Sequence, residues 1–242
     1  MNVQLFATCL VDSLFPEVGE AAVEVLAKGG AEAWFPAGQT CCGQPALNAG
    51  LRQEARSLAI RTLNVLSAED VVVVLSGSCT DMIRHRFPEL LSDEPKLLER
   101  ARELASRTYE LGEFLVDQLM IAEFDASSPL VIGYHPSCHL LRGLGVDRQP
   151  SELLEQVGGG PSIRLEPECC GFGGLFSIEM PEISSAMLKR TLERVEAAGA
   201  ELVVGCDVSC LMQIEGGLRR SGSPVRCAHL AQVLAGRDPG LR

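Results

Sequence analysis

The stretch CCGFGG, at residues 169–174, has a counterpart in CCGQP, at residues 41–45. Adjacent cysteines have Cα atoms only ~3.8 Å apart, whereas an ordinary disulfide needs roughly 4.4–6.8 Å between them. Each pair is therefore unsuited to a simple crosslink between its own members. Because the pair occurs twice, each time with a glycine after it, we interpret the two stretches as two copies of one functional element.

Two further cysteines accompany each pair, and their spacing reveals an internal repeat. The offsets between the copies are 129, 128, 128 and 131 residues, for Cys9, Cys41, Cys42 and Cys79 against Cys138, Cys169, Cys170 and Cys210. Two copies of this length predict two lobes and no solenoid. We assign residues 1–94 to the first lobe, 129–242 to the second, and 95–128 to a helical linker.

Short apolar runs alternate with helical patterns in both copies. Residues 71–75 are continuously apolar, as expected for a parallel strand buried on both faces. Further strands are expected at residues 3–6, 33–35, 130–134, 162–165, 202–204 and 225–227. The alternation predicts an α/β fold of two pseudo-symmetric repeats, each a small parallel sheet with flanking helices. Each repeated cysteine follows the carboxyl end of a strand, where ligands bind, so each set of four should converge.

Helical periodicity fills the segments between the strands. Helices are expected at residues 18–28, 48–66, 151–156 and 182–198, and a long amphipathic helical region covers residues 95–123. That region could break near Thr108 or Gly112. His85 and His229 fall on predicted helices and are not assigned to a site.

Composition narrows the class of protein. The 242 residues carry a net charge of −11, which argues against a nucleic-acid binder and against binding to an anionic membrane surface. No apolar run reaches the roughly 18 residues of a membrane-spanning helix, and the first residues lack the basic region of a signal peptide. We therefore expect a cytoplasmic protein. In that reducing compartment, 10 cysteines indicate metal or catalytic ligands before disulfides.

Four thiolates per lobe suit either an iron–sulfur cluster or one tetrahedral zinc ion, and buried free thiols are the plain alternative. Ligands spread over three loops, with an adjacent pair among them, favour a cluster, because structural zinc more often uses compact CxxC knuckles. Gly43 and Gly171 follow the pairs. Without a Cβ, each can take a positive φ or let the backbone approach a cofactor.

Other residues near the repeated cysteines are weaker candidates. His135 and His139 flank Cys138 and could bind a metal or donate a hydrogen bond to a cluster sulfur. Cys206 has no counterpart in the first lobe; it is a small strand-end residue, a fifth ligand, or a redox partner of Cys210. Cys227 is expected to be structural.

The doubled pattern Cys…Cys-Cys-Gly…Cys resembles the cysteine-rich CCG domain family, which includes the cysteine-rich subunit of heterodisulfide reductase and the iron–sulfur subunit of glycolate oxidase. The stretches CCGQPALNAG, GSCT, YHPSCHL, CCGFGGLFSIEM and DVSCL are most similar to its lactate-utilization members. The resemblance implies a subunit of a complex that oxidises L-lactate to pyruvate. Its partners would be two companion proteins, one with ferredoxin-type clusters, and lactate would bind at the level of the complex.

The chain departs from the heterodisulfide reductases, in which each motif holds a [4Fe–4S] cluster with five cysteines, ending in CxxC. The extra cysteine is replaced at both possible positions in each lobe, by Ser76 and Met82 and by Asp207 and Gln213. The resemblance therefore implies one [4Fe–4S] cluster per lobe on four cysteines. Zinc in one lobe is an alternative, because some members of the wider family hold zinc in one motif.

The sequence shows no convincing flavin or nicotinamide signature, which favours an electron-carrying subunit over a complete dehydrogenase. Two other interpretations stay open. One is a zinc-stabilised scaffold subunit, and the other is a thiol–disulfide oxidoreductase that uses Cys206 and Cys210.

Overall fold

The first lobe is built on a parallel sheet of four strands. The computed structural model describes residues 1–66, 69–121 and 124–237. The strands are β1 (Asn2–Phe6), β2 (Glu32–Trp34), β3 (Val71–Val74) and β4 (Thr108–Glu110), in the order β2-β1-β3-β4. Every pairing in this sheet is parallel.

The second lobe repeats this arrangement. Its strands are β5 (Ser127–Ser128), β6 (Ile132–Tyr134), β7 (Gly158–Gly159), β8 (Ser162–Arg164), β9 (Leu202–Gly205) and β10 (Arg226–His229). The order β10-β9-β6-β8 is that of the first sheet read from its other edge, and β5 pairs with β7 separately. The predicted α/β fold of two pseudo-symmetric repeats is confirmed.

Helices cover the sheets. They are α1 (Cys9–Leu14), α2 (Pro16–Lys28), α3 (Gln44–Asn48), α4 (Arg52–Val65), α5 (Gly77–Asp81), α6 (Phe87–Leu90), α7 (Pro95–Ser106), α8 (Leu111–Glu113), α9 (Arg148–Glu155), α10 (Phe176–Glu179), α11 (Pro181–Ala197), α12 (Val208–Arg220) and α13 (Leu230–Leu234). π-Helical turns follow at Met82–Arg86, Phe114–Gln118 and His139–Gly143. In the described part of the chain, no helix is long and apolar enough to span a bilayer.

The helical region expected over residues 95–123 breaks near Thr108, one of the two places given for a break, but a strand that was not predicted occupies the break. Helix α7 ends at Ser106, and β4 then pairs with β3, with Thr108 opposite Val72. The segment therefore adds the fourth strand to the first sheet. Residues 122 and 123 of that prediction lie outside the described residues, and the lobe boundaries at 94 and 129 stay a prediction.

Two smaller predictions are also corrected. The helix expected over residues 48–66 is split, because Gly50 has φ +76° in the turn between α3 and α4. His229 lies at the end of β10 and not on a helix. It is the N-cap of α13, and its Nδ1 accepts a hydrogen bond from the backbone N–H of Ala231 at 3.2 Å.

The two lobes share one hydrophobic core. Val73 of β3 packs into the cluster that also holds residues of the second sheet such as Val203, while Val72 and Val74 face a smaller cluster confined to the first lobe. This alternation is the period of two that a strand imposes. Helix α13, at the end of the second lobe, packs on α2 of the first. The lobes are therefore fused, and they meet where Ser76 and Asp207 form an antiparallel bridge.

Candidate metal centres

Each lobe gathers four thiols at the carboxyl edge of its sheet. In the first lobe, the Sγ of Cys42 lies 3.0 Å from the Sγ of Cys79. The thiol of Cys41 joins Cys9 and Cys42 by hydrogen bonds. The four sulfurs therefore form one continuous chain of contacts.

The second lobe repeats this chain of contacts. The Sγ of Cys170 lies 3.1 Å from the Sγ of Cys210, and Cys169 hydrogen-bonds to both Cys138 and Cys170. The predicted convergence of the thiols within each lobe is thus confirmed. That these eight residues bind a metal stays a prediction.

Both sets of thiols open onto one cavity of about 500 Å³ between the lobes. All eight cysteines of the two sets line it. Phe172 and Leu175 add apolar walls, while His139 and Asp207 add polar groups. Two centres bound here would face each other across a shared space.

The glycine after each cysteine pair fixes the turn into the following segment. Gly43 has φ +89° and Gly171 has φ +82°, so the predicted positive φ is confirmed at both positions. A Cβ on Gly43 would lie 3.3 Å from the carbonyl oxygen of Ala55, and one on Gly171 would lie 2.5 Å from that of Ser184. The missing Cβ therefore allows α4 to pack close to Gly43 and α11 to pack close to Gly171. A role of these glycines in binding a cofactor stays a prediction.

Hydrogen bonding within each set of thiols favours one thiolate per lobe. The pKa of Cys41 is lowered because the thiolate accepts hydrogen bonds from Cys42 and Cys9, and neighbouring thiols lower the pKa of Cys169 likewise. The pKa of Cys9 is raised by its hydrogen bond to Cys41 and by burial. A metal ion or cluster would displace the remaining thiol protons, because thiolates are the ligands.

The sulfurs are closer together than an occupied site requires. Four thiolates at ~2.3 Å from one zinc ion would place neighbouring sulfurs roughly 3.8 Å apart, and a cluster needs more room. Within the described residues, no group of three or more His, Cys, Asp or Glu side chains is arranged to hold a metal ion. The thiol pairs would therefore separate on binding either occupant.

Buried polar atoms on residues that precede the repeated cysteines in the sequence suit an electron-rich cofactor. Thr40 precedes Cys41, Ser137 precedes Cys138, and His135 lies three residues before Cys138. The Oγ1 of Thr40, the Oγ of Ser137 and the Nε2 of His135 are buried without a hydrogen-bond partner among the described residues. Such atoms can donate to cluster sulfur, which raises a cluster's potential. The sequence interpretation missed both hydroxyls, although their position directly before a cysteine could have indicated them.

The two candidate histidines have different surroundings. Burial lowers the pKa of His135 to about 4, so its ring is neutral near pH 7. His139 instead places Nδ1 2.8 Å from the Oδ2 of Asp81, and this hydrogen bond raises its pKa. Asp81 also bonds to His85 at 2.7 Å. The hydrogen bond between His139 and Asp81 therefore connects the second lobe to the first. That His139 binds a metal or donates a hydrogen bond to a cluster stays a prediction.

The two cysteines of the proposed redox pair, Cys206 and Cys210, contact different side chains. The thiol of Cys206 lies beside the carboxyl of Glu110, whereas that of Cys210 contacts Cys170. Cys227 is fully buried in β10. This burial agrees with a structural role for Cys227. Among the described residues, the groups that act on the Cys206 thiol are the carboxyls of Glu110 and Asp207 and not another thiol.

Glu110 should make stability depend on pH. Burial raises its pKa from the ordinary value of 4.5 to about 8 in the folded protein. The unfolded chain releases this proton at lower pH, so the free energy of unfolding should fall from about pH 4.5 to about pH 8, by ~3–5 kcal/mol. Glu110→Gln should remove this part of the pH dependence, because an amide does not titrate in this range. The fold should be kept, since the amide oxygen can still accept the N–H of Gly112. Urea unfolding at pH 5 and pH 8 measures the difference.

The matched control is Glu32→Gln at an exposed position in β2, which should leave the pH dependence as it is. Equal slopes of stability against pH for Glu110→Gln and the unaltered chain would contradict the assignment.

Comparison with known proteins agrees with this geometry. The model of the family described as cysteine-rich domain, CCG, matches residues 3–84 and 132–215. "Lactate utilization protein A" of Halalkalibacterium halodurans is 43% identical over 239 residues, covering 97% of this chain and 96% of the relative. The protein of the same name from Shouchella clausii is 43% identical over 243 residues, covering 98% and 100%.

One solved structure is similar in fold. A hypothetical protein from Helicobacter pylori superposes with a TM-score of 0.64 at 12% identity. The match covers 99% of this chain and 49% of that protein, so the chain spans about half of its length. At this identity the likeness concerns the fold alone.

Proposed function

The chain belongs to the cysteine-rich CCG domain family, in its lactate utilization protein A branch, and on this basis we propose that it is the iron–sulfur subunit of a complex oxidising L-lactate to pyruvate. The observation that carries the proposal is the pair of four-thiol sets facing one cavity. Each set supplies the number and type of ligands that one [4Fe–4S] cluster uses.

The ligands of each centre would be the repeated cysteines. Cys9, Cys41, Cys42 and Cys79 would hold the first cluster, and Cys138, Cys169, Cys170 and Cys210 the second. A bound cluster supplies one-electron transfer. Oxidation of L-lactate to pyruvate releases two electrons and two protons, so two centres that each carry one electron match the demand of one turnover.

The chain's own residues would shape and shield these centres. Phe172 and Leu175 narrow the shared cavity and limit water around the second set of thiols. His135 and Ser137 present unpartnered polar atoms near the same thiols. Asp81 bonds to His139 across the lobes and so fixes one wall of the cavity.

Lactate oxidation would require partners. We propose two companion lactate-utilization proteins, one with ferredoxin-type clusters, that assemble with this chain in the cytoplasm. Lactate would bind at the level of the complex, and this chain would carry electrons away from it. The names of the relatives support the pathway, and the thiol sets support the electron-carrying role.

A zinc-stabilised scaffold subunit is the second candidate. The close contacts between Cys42 and Cys79 and between Cys170 and Cys210 favour it, because four thiolates around a single ion lie closer together than four around a cluster. In that case, the chain would organise the complex and would carry no electrons.

Anaerobic assembly with both companion proteins tests the electron-carrying role. We expect L-lactate to bleach the absorbance of this chain's clusters near 400 nm, and D-lactate to have a smaller effect. Cys227→Ala, which leaves both thiol sets intact, should bleach as the unaltered chain does. Clusters that stay oxidised with L-lactate in the full complex would contradict the proposal.

A further inference from the structure

An exposed apolar surface borders the cavity that holds both sets of thiols. Ile178 is 74% exposed, Ile183 54%, Met180 51% and Leu175 37%, and we call these four side chains the Ile178 patch. They follow one another within nine residues, along α10 and the first turn of α11. Single exposed apolar side chains are ordinary, but several together indicate a contact surface for another molecule.

Two members of the Ile178 patch reach the cavity itself. Leu175 and Ile178 line it, as do all eight cysteines of the two sets. The first lobe also approaches here, because a Cβ on Gly174 would lie 3.5 Å from the Cβ of Pro45. A molecule bound on the patch would therefore lie against a wall of the space that both sets of thiols share.

Hydrogen bonds hold the backbone of the patch to the segment that follows the second cysteine pair. The Oγ of Ser184 donates to the carbonyl oxygen of Gly171 at 2.7 Å. The backbone N–H of Ser177 donates to the carbonyl oxygen of Phe172 at 3.1 Å, and its Oγ donates to that of Gly174 at 3.0 Å. This backbone is therefore ordered before a partner binds, which reduces the conformational entropy lost on binding.

Two carboxylates stand among these apolar side chains. Glu179 and Glu182 are exposed, and within the described part of the chain neither carboxyl takes part in a hydrogen bond or an ion pair. The next cations along α11, Lys189 and Arg190, each pair with another glutamate, at 3.9 Å and 3.3 Å. The surface that complements the patch is therefore apolar, with lysine or arginine side chains at its border.

The same charges argue against a second copy of this chain and against a membrane. A two-fold contact would place the patch against itself and bring four carboxylates together. An anionic bilayer surface would repel them. The first lobe differs at this place: within residues 44–54, all of which the structure describes, Leu51 is the one exposed large hydrophobic side chain, and Arg52 follows it. The patch is therefore a feature of the second lobe.

We propose that the Ile178 patch docks the companion protein with ferredoxin-type clusters, through an apolar surface of that protein bordered by lysine or arginine. This inference rests on the proposed function. The patch borders the cavity of the two centres, so the molecule that docks there is the one that exchanges electrons with them. One electron would pass from the reduced second-lobe centre to an oxidised cluster of the partner, with no bond formed or broken. Such electron-transfer contacts are small, below ~1,200 Å² in total.

The double variant Ile178→Ser with Met180→Ser tests the apolar contact. Anaerobic calorimetric titration of the reconstituted chain with the ferredoxin-type companion measures the Kd, which should rise on the order of tenfold. Iron content and the midpoint of urea unfolding should stay unchanged, because both side chains are exposed. The matched control is Val23→Ser on α2, at a position that is exposed and outside the cavity, and it should bind as the unaltered chain does.

The double variant Glu179→Gln with Glu182→Gln tests the charges. The Kd of the unaltered chain should rise as sodium chloride is added, because salt screens the attraction to a basic border. The variant should bind more weakly at low salt, and its Kd should depend less on salt. Glu99→Gln with Glu103→Gln removes two exposed carboxylates from α7 of the first lobe, and it should keep the salt dependence of the unaltered chain.

The inference and the proposed function fail in different ways. An equal Kd for the unaltered chain and for Ile178→Ser with Met180→Ser, both with full iron content, would overturn the inference alone. So would a variant that keeps its affinity for the companion but loses self-association or binding to anionic vesicles. Absence of iron and sulfide from the unaltered reconstituted chain would overturn the proposed function and the inference with it.

Discussion

Cys170→Ala should lower the bound iron and acid-labile sulfide to about half of the unaltered value, because each lobe is expected to hold one [4Fe–4S] cluster. Cys170 contacts both Cys169 and Cys210, so its loss removes a ligand from the middle of the second set. The first set is untouched and should keep its cluster. Metal and sulfide analysis after anaerobic reconstitution measures the result, and oxidation of lactate by the assembled complex should be lost.

Cys227→Ala is the matched control for this experiment. It removes a buried thiol of the same lobe that lies in β10 and outside both sets. Its iron and sulfide content should equal that of the unaltered chain. Full iron content in Cys170→Ala would show that Cys170 is dispensable, and loss of all iron would show that the lobes do not load separately.

Gly171→Ala should destabilise the fold by about 2–4 kcal/mol, because it adds a backbone clash to an unfavourable positive φ. The new Cβ would stand 2.5 Å from the carbonyl oxygen of Ser184 in α11. Neither the backbone at residue 171 nor that of Ser184 can shift without a loss of stability, since the glycine directly follows the cysteine pair. The midpoint of urea unfolding, measured without metal, reports the loss.

Two further glycines separate the causes. Gly199 has φ +60°, and a Cβ added there would have no atom within 4 Å. Gly199→Ala therefore isolates the loss of stability due to the backbone conformation, about 1 kcal/mol. Gly43→Ala should lie between the two, because its nearest backbone contact is 3.3 Å. An unfolding midpoint of Gly171→Ala equal to that of Gly199→Ala would contradict the role given to the packing against α11.

The positions of the thiols could be predicted because each depends on a local pattern. An apolar strand followed by a cysteine places that cysteine at a sheet edge, and parallel strands bring their carboxyl ends together. Val72, Val73 and Val74 illustrate this, since an uninterrupted apolar run leaves little choice but a strand buried on both faces. The repeat supplied the second sheet by the same reasoning.

The fourth strand of the first lobe was missed because its local signal is weak. Thr108–Glu110 is short and ends in a charged residue, so the helical pattern on either side concealed it. Glu110 and His229 are buried because each caps the helix that follows, in capping boxes with Glu113 and Gln232. ELGE at residues 110–113 resembles HLAQ at residues 229–232, which directly follows the strand predicted at 225–227. This similarity could have indicated that a strand also precedes ELGE.

Contacts between the lobes could not be read from the sequence. Ser76 and Asp207 are 131 residues apart, and their bond depends on how two completed sheets meet. The bond between Asp81 and His139 is of the same kind. A pattern of strands and helices fixes the edge on which a side chain lies, but the side chain opposite it is set by tertiary packing.

The central claim is that both sets of four thiols hold clusters, and the metal content of the anaerobically purified and reconstituted chain tests it most directly. We expect about eight iron atoms and about eight acid-labile sulfides per chain, with absorbance near 400 nm. Zinc without sulfide, at about one ion for each set of four thiols, would contradict the claim and favour the scaffold.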